Sequence, residues 1–137
     1  MTHCFQVKLT KNLLVLKQIF FWLAFSWTAV VLVLCLVQLN DVPTVGIQNV
    51  DKYVHTFFHF VFTFLWFLFL KEQFKNQYSG KPYVVSFLFS VFFGIAIEIA
   101  QGLFTISRKS DLFDILANVT GAALAVLVLW IYFRKKH

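Results

Sequence analysis

The chain has 137 residues, 60% of them hydrophobic and only 13% charged, and its mean hydropathy is +0.77. A soluble domain carries about 25% charged residues, and one of this length has too little core to hide so many apolar side chains from water, so a bilayer is the fitting solvent. The net charge of +6 has no soluble domain to carry it, which excludes nucleic acid as a partner.

Crossing about 30 Å of hydrocarbon at 1.5 Å per residue takes about 20 residues. The run between Lys17 and Asp41 has 23 uncharged residues and predicts a first helix at 17–38. Cys4 precedes this helix and Cys35 lies near its far end, too distant for a disulfide. Leu34 stands where a lipoprotein signal needs a small residue, and no small-x-small cleavage site follows, so the segment is read as a permanent helix. Asn40 to Val50, with Pro43 and Gly46, reads as an irregular loop.

Lys52 and Lys71 enclose 18 uncharged residues, predicting a second helix at 52–71. Gly80-Lys81-Pro82 marks a turn with proline near a helix start. A third helix at 83–104 follows, interrupted only by Glu98. After the tight connection Thr105 to Ser110, the fourth helix is predicted at 112–133. The spans lack the alternation of membrane strands. The fold class is therefore an all-α integral membrane protein, a four-helix antiparallel bundle in one domain covering residues 1–137. The 19 phenylalanines read as lipid-facing bulk, and Trp22, Trp27, Trp66 and Trp130 as a weak interfacial belt.

Flanking charge sets the orientation. Lys8, Lys11, Lys17, Lys71, Lys75, Lys81, Arg134, Lys135 and Lys136 share one side, against Lys52, Arg108 and Lys109 on the other. The positive-inside rule makes the richer side, with both termini, cytoplasmic.

Polar residues recur on one face of each later helix. Asp51, His55 and His59 are four apart. Gly94, Glu98, Gln101 and Gly102 share a face of the third helix, and Asp114, Asn118, Gly121 and Ala125 a face of the fourth. Counting from the helix ends places Glu98, Asn118 and His59 in one layer, each about 9 Å deep. His55, Gln101 and Asp114 fall above them, and Asp51, Lys52, Arg108 and Lys109 at the mouth. The pattern predicts a polar cleft opening away from the cytoplasm. Intramembrane ionisable residues are costly and usually functional. The structural alternatives are a protonated Glu98 bonded to Asn118, an Asp114 helix cap, and glycines that only let the third and fourth helices approach.

His55 and His59 form a His-x-x-x-His pair that Glu98 or Asp114 would complete as a metal site. Thr56 stands where the HExxH pattern needs glutamate, and the expectation is no metal and no cofactor. No nucleophile elbow or phosphate loop is present.

Taken in order, Asp51-Lys52-x-x-His55, Glu98-x-x-Gln101, Arg108-x-Ser110 and Asp114-x-x-x-Asn118-x-x-Gly121 resemble the VanZ-like family of small bacterial membrane proteins. The resemblance covers roughly the last two-thirds of the chain. It implies a multi-pass protein of the bacterial cytoplasmic membrane and, for the founding member, lowered sensitivity to the glycopeptide teicoplanin. His59 departs from the tyrosine many relatives carry there, and imidazole, unlike phenol, titrates near neutrality.

The leading expectation is a non-enzymatic envelope protein that engages a polar or anionic lipid-linked headgroup. Arg108 and Lys52 receive negative charge, while Glu98, Gln101, Asn118 and His55 hydrogen-bond the headgroup. The alternatives are an intramembrane enzyme acting on a lipid headgroup, with Glu98 or Asp114 as acid–base and His55 assisting, and a proton-coupled carrier using Glu98 and the histidines. Membrane lipids, a lipid-linked envelope precursor among them, are the expected partners, and a homo-oligomer stays open.

Overall fold

A computed structural model describes residues 2–36, 50–74, 80–104 and 111–135, with side chains from Leu14 onward. Four helices account for them: α1 (Thr2–Leu36), α2 (Val50–Gln73), α3 (Lys81–Phe104) and α4 (Leu112–Arg134). All four contain a stretch long and apolar enough to cross a membrane. The prediction for α1 marked the apolar run rather than the helix. The apolar stretch begins at Leu14, but lysine, glutamine and leucine are good helix formers, and the helix extends back to Thr2. The loop with Pro43 and Gly46, the 105–110 connection with Arg108, Lys109 and Ser110, and the side chain of Cys4 lie outside the described residues.

Contacts between helix ends fix the directions. Lys52 meets Asp111 and Lys71 lies over the Phe133 ring, so α2 and α4 run parallel. Phe62 stacks on Phe93 and Phe67 meets Tyr83, so α2 and α3 run antiparallel. Consecutive helices alternate as expected, yet the most extensive packing is between the non-consecutive pair α2 and α4. Among the described residues α1 and α4 do not touch, while α2 and α3 each touch every other helix.

That packing follows from small residues. A Cβ on Gly121 would overlap the Thr56 carbonyl oxygen, and Ala122 and Ala125 beside it are fully buried. The backbones of α4 and α2 therefore approach closely, as small residues permit between membrane helices. Thr56 Oγ1 adds a bond to the Ala117 carbonyl at 3.2 Å. The expectation that Gly121 and Gly102 serve a contact between the third and fourth helices is corrected: Gly121 serves α2, and Gly102 is exposed.

Aromatic side chains do more than face lipid. Phe62 and Phe67 are buried. Trp27 donates to the Phe58 carbonyl at 3.1 Å and Trp66 to Thr28 Oγ1 at 3.1 Å, joining α1 to α2. An indole N–H in hydrocarbon needs such a partner, because no water is there to supply one. Most other large apolar side chains are exposed, including Leu103, Phe104, Leu112 and Phe113, as suits helices surrounded by lipid.

Candidate functional site

The site gathers where α2 and α4 begin and α3 ends. Asp111 caps α4: its backbone is extended at φ −112° and ψ 124°, and its carboxylate accepts the Phe113 N–H at 2.9 Å, as an N-cap should. Its other oxygen meets Lys52 Nζ at 3.3 Å. The Phe113 N–H, and after it the Lys52 ammonium, hold the Asp111 carboxyl below its usual range. The Asp111 N–H, left over by the helix, donates to Glu98 Oε2 at 3.3 Å. The cap thus ties α4 to α2 and α3 together. Asp114, weighed from sequence as a cap, instead occupies the first turn.

Below the cap lies a buried group of His55 (3% exposed), Glu98 (1%), Asp114 (8%) and Asn118 (1%). His55 Nδ1 is 3.1 Å from Asn118 Oδ1. With Asn118 Oδ1 as the acceptor, Nδ1 is the donor, and in the neutral ring this arrangement leaves Nε2 open to a further partner. Nε2 faces Asp114 Oδ2 at 4.0 Å, beyond hydrogen-bond range. One ligand atom from each of His55, Glu98 and Asp114 lies within 4.8 Å of the others. Lys52 Nζ approaches Asp114 Oδ1 at 3.6 Å from the partly exposed side.

Four buried atoms have no hydrogen-bond partner among the described residues: Glu98 Oε1, Asp114 Oδ1, Asn118 Nδ2 and His59 Nε2. Buried polar groups are normally satisfied, and an unmade bond costs about 1–3 kcal/mol. Three of the four belong to this one group.

The layering differs from the sequence expectation by one helical turn. The Gly121–Thr56 approach sets the register of α4 on α2 and brings Asn118 opposite His55 rather than His59. His59 lies a turn deeper, its Nδ1 2.9 Å from Ser90 Oγ. Gly94 makes room for both neighbours: a Cβ there would fall 2.9 Å from Asn118 Nδ2 and 3.0 Å from His59 Cε1. Gln101 reaches α1, donating to the Cys35 carbonyl at 2.9 Å. Asp51 is exposed at the helix start. Arg108, predicted at the mouth, lies outside the described residues. Glu98, Asn118, His55, His59 and Asp114 are all closed from solvent, so the open cleft expected from sequence is a buried group with Lys52 at its edge. The shallow groove lined by Lys52, Tyr53, Thr56 and Phe113 runs beside it.

Ser86, Ser90 and Thr63 were missed by the sequence reading, and all three are buried. Extending the Gly94–Glu98 spacing backward in steps of four reaches Ser90 and Ser86 on the same face. Thr63 follows His59 by the same step.

The chain as a whole has counterparts among known proteins. Residues 5–133 match the family model described as VanZ/LLP1. The chain belongs to the VanZ/LLP1 family. An uncharacterized protein of Schizosaccharomyces pombe is 30% identical over 109 residues, which cover 78% of this chain and 63% of that relative. No solved structure matches. This VanZ/LLP1 chain is thus a multi-pass membrane protein by family and by its four candidate spans. Because a fungal protein is among its relatives, the family label alone carries neither a bacterial source nor a teicoplanin phenotype.

Proposed function

We propose that this VanZ/LLP1 protein engages a phosphate-bearing lipid headgroup, free or on a lipid-linked precursor, at the Asp111 end of the bundle. Lys52 receives the negative charge, with Arg108 as a second cation from the adjoining connection. His55, Glu98, Asp114 and Asn118 hydrogen-bond the polar remainder. The observation that carries this reading is the set of three buried atoms without a hydrogen bond, on Glu98, Asp114 and Asn118, beside a partly exposed lysine that meets the Asp114 oxygen only as an ion pair. Donors and acceptors left open at one place in a membrane protein are what a polar ligand satisfies.

A proton-coupled carrier has less support. Below His59, Thr63 bonds the His59 carbonyl and Ser86 the Tyr83 carbonyl, both within their own helices, while Phe62, Phe67 and Leu129 fill the space between.

Native mass spectrometry of the detergent-purified protein, wild type beside Glu98→Gln, tests the headgroup reading. A phospholipid adduct is expected on the wild type and absent from a folded Glu98→Gln. Identical adduct-free spectra for both would remove headgroup binding and leave the group as interhelical glue.

A further inference from the structure

Headgroup binding alone leaves a charge problem. Among the described residues Lys52 faces Asp51, Asp111 and Asp114, and Glu98 lies beside Asp111 and Asp114. Lys52 is already engaged by Asp111 at 3.3 Å. Carboxylates at this density weaken the hold on a phosphate, and a cation bound among them would offset that.

We infer that His55, Glu98 and Asp114 form a binding site for one divalent transition-metal ion, of which Zn(II) is the representative. The donors come from three positions on three helices, one each on α2, α3 and α4, whereas the His-x-x-x-His spacing pairs His55 with His59, completed by Glu98 or Asp114. The structure separates those two histidines: His59 is directed to Ser90, while His55 joins the two carboxylates.

Three observations carry the inference. His55 Nδ1 is held 3.1 Å from Asn118 Oδ1, which leaves Nε2 as the ring atom directed toward the two carboxylates. A metal-ligating histidine characteristically has its second nitrogen fixed in this way. The 4.0 Å gap from Nε2 to Asp114 Oδ2 is too long for a hydrogen bond. Ligands placed about 2.1 Å from a tetrahedral ion are roughly 3.4 Å apart, so this pair closes by about 0.6 Å on binding and the set, within 4.8 Å, by up to about 1.4 Å. Finally, Glu98 Oε1 is buried with no hydrogen-bond partner, and Asp114 Oδ1 has no hydrogen bond beyond its ion pair with Lys52 at 3.6 Å.

Charge favours the same ion. Two carboxylates, a neutral imidazole and a divalent cation sum to zero, which suits a buried membrane site better than two carboxylates alone. An imidazole in the set selects zinc, iron, cobalt or nickel over magnesium and calcium, which prefer all-oxygen ligands. Three protein ligands leave a fourth position, the usual arrangement where a metal meets a substrate or water. A phosphate oxygen in that position, with Lys52 beside it, turns an acidic pocket into an anion receptor. This last step rests on the headgroup reading, whereas the metal site stands without it.

The test is Co(II) titration and elemental analysis of tag-free, delipidated protein in detergent, followed by visible absorption. One ion per chain is expected, with the d–d bands of a four-coordinate centre. Asp114→Asn and His55→Gln should abolish binding. Asn118→Leu, which removes only the bond that orients His55, should weaken it about 10–100-fold. His59→Gln should bind like wild type, and circular dichroism checks that each variant remains helical.

Folded wild-type protein that takes up no Co(II) or Zn(II) overturns the site. So does binding lost in His59→Gln but kept in Asp114→Asn. Native mass spectrometry with and without EDTA separates the two readings. A lipid adduct that survives complete metal removal overturns the phosphate-on-metal step while headgroup binding stands. Stoichiometric metal with no lipid adduct removes headgroup binding and leaves the metal site.

Discussion

Asp111 is where three helices are tied by one residue: its carboxylate closes the start of α4 and pairs with Lys52, and its N–H reaches Glu98. Asp111→Ala removes the cap and the ion pair together and should lower the unfolding temperature in detergent. Asp111→Asn keeps a capping oxygen and should recover most of that loss, which differential scanning fluorimetry resolves. The pH dependence follows from the sign of its shift. Its folded-state pKa is depressed, so its contribution is complete above the ordinary aspartate value of about 3.9 and is lost as pH falls through the lower folded value. Asp111→Asn should therefore flatten the stability profile in that acid window, its deficit against the wild type being full at neutral pH and closing as pH falls. At this scale sequence reading found the chemistry but not the partners. Glu98, His55, Asp114 and Asn118 stood out because ionisable and amide groups are rare in apolar runs. Ser90 and Thr63 did not, because hydroxyls are common in membrane helices and commonly bond their own helix, as Thr63 does.

Between elements, two glycines act on different contacts and separate stability from site geometry. A Cβ at Gly121 meets the backbone of Thr56 and Phe60, and backbone cannot rotate away. Gly121→Ala should force α4 off α2 and cost about 1–3 kcal/mol or more, read as a lower unfolding temperature with loss of monodispersity. A Cβ at Gly94 meets the side chains of Asn118 and His59, which can move. Gly94→Ala should leave the bundle folded but turn Asn118 away from His55, reducing ligand retention more than stability. Equal thermal shifts for the two would contradict this division. Helix number and approximate limits were legible because uncharged runs near 20 residues are set by bilayer thickness. The dominance of α2–α4 packing was not. It depends on which face Gly121 presents and how close two backbones come, and neither is encoded in hydropathy. The one-turn error in the depth of His59 has the same origin, since depths counted from helix ends ignore the register that Gly121 and Thr56 impose.

At the scale of the whole molecule, the helix directions and the four candidate spans place the Asp111 end of α4, the start of α2 and the end of α3 on one membrane face, and Gly80, Gln73 and Arg134 on the other. The asymmetry of nine basic residues against three predicts a cytoplasmic Gly80 face, with the polar group toward the opposite compartment. Single-cysteine labelling decides this. Gly80 has open space around its Cα and Tyr53 is largely exposed, so Gly80→Cys and Tyr53→Cys disturb little in a background where Cys4 and Cys35 are alanine. A membrane-impermeant maleimide applied to intact cells or sealed right-side-out vesicles should label Tyr53→Cys and spare Gly80→Cys, with both labelled after permeabilisation. The reverse pattern would place the buried group on the cytoplasmic side, and its lipid or metal would then be drawn from that leaflet. Labelling of both without permeabilisation would mean that the segment between them does not span the bilayer. That outcome would be hard to reconcile with Trp27 and Trp66 spending their indole N–H groups on α1–α2 contacts, an arrangement that hydrocarbon, and not water, makes necessary.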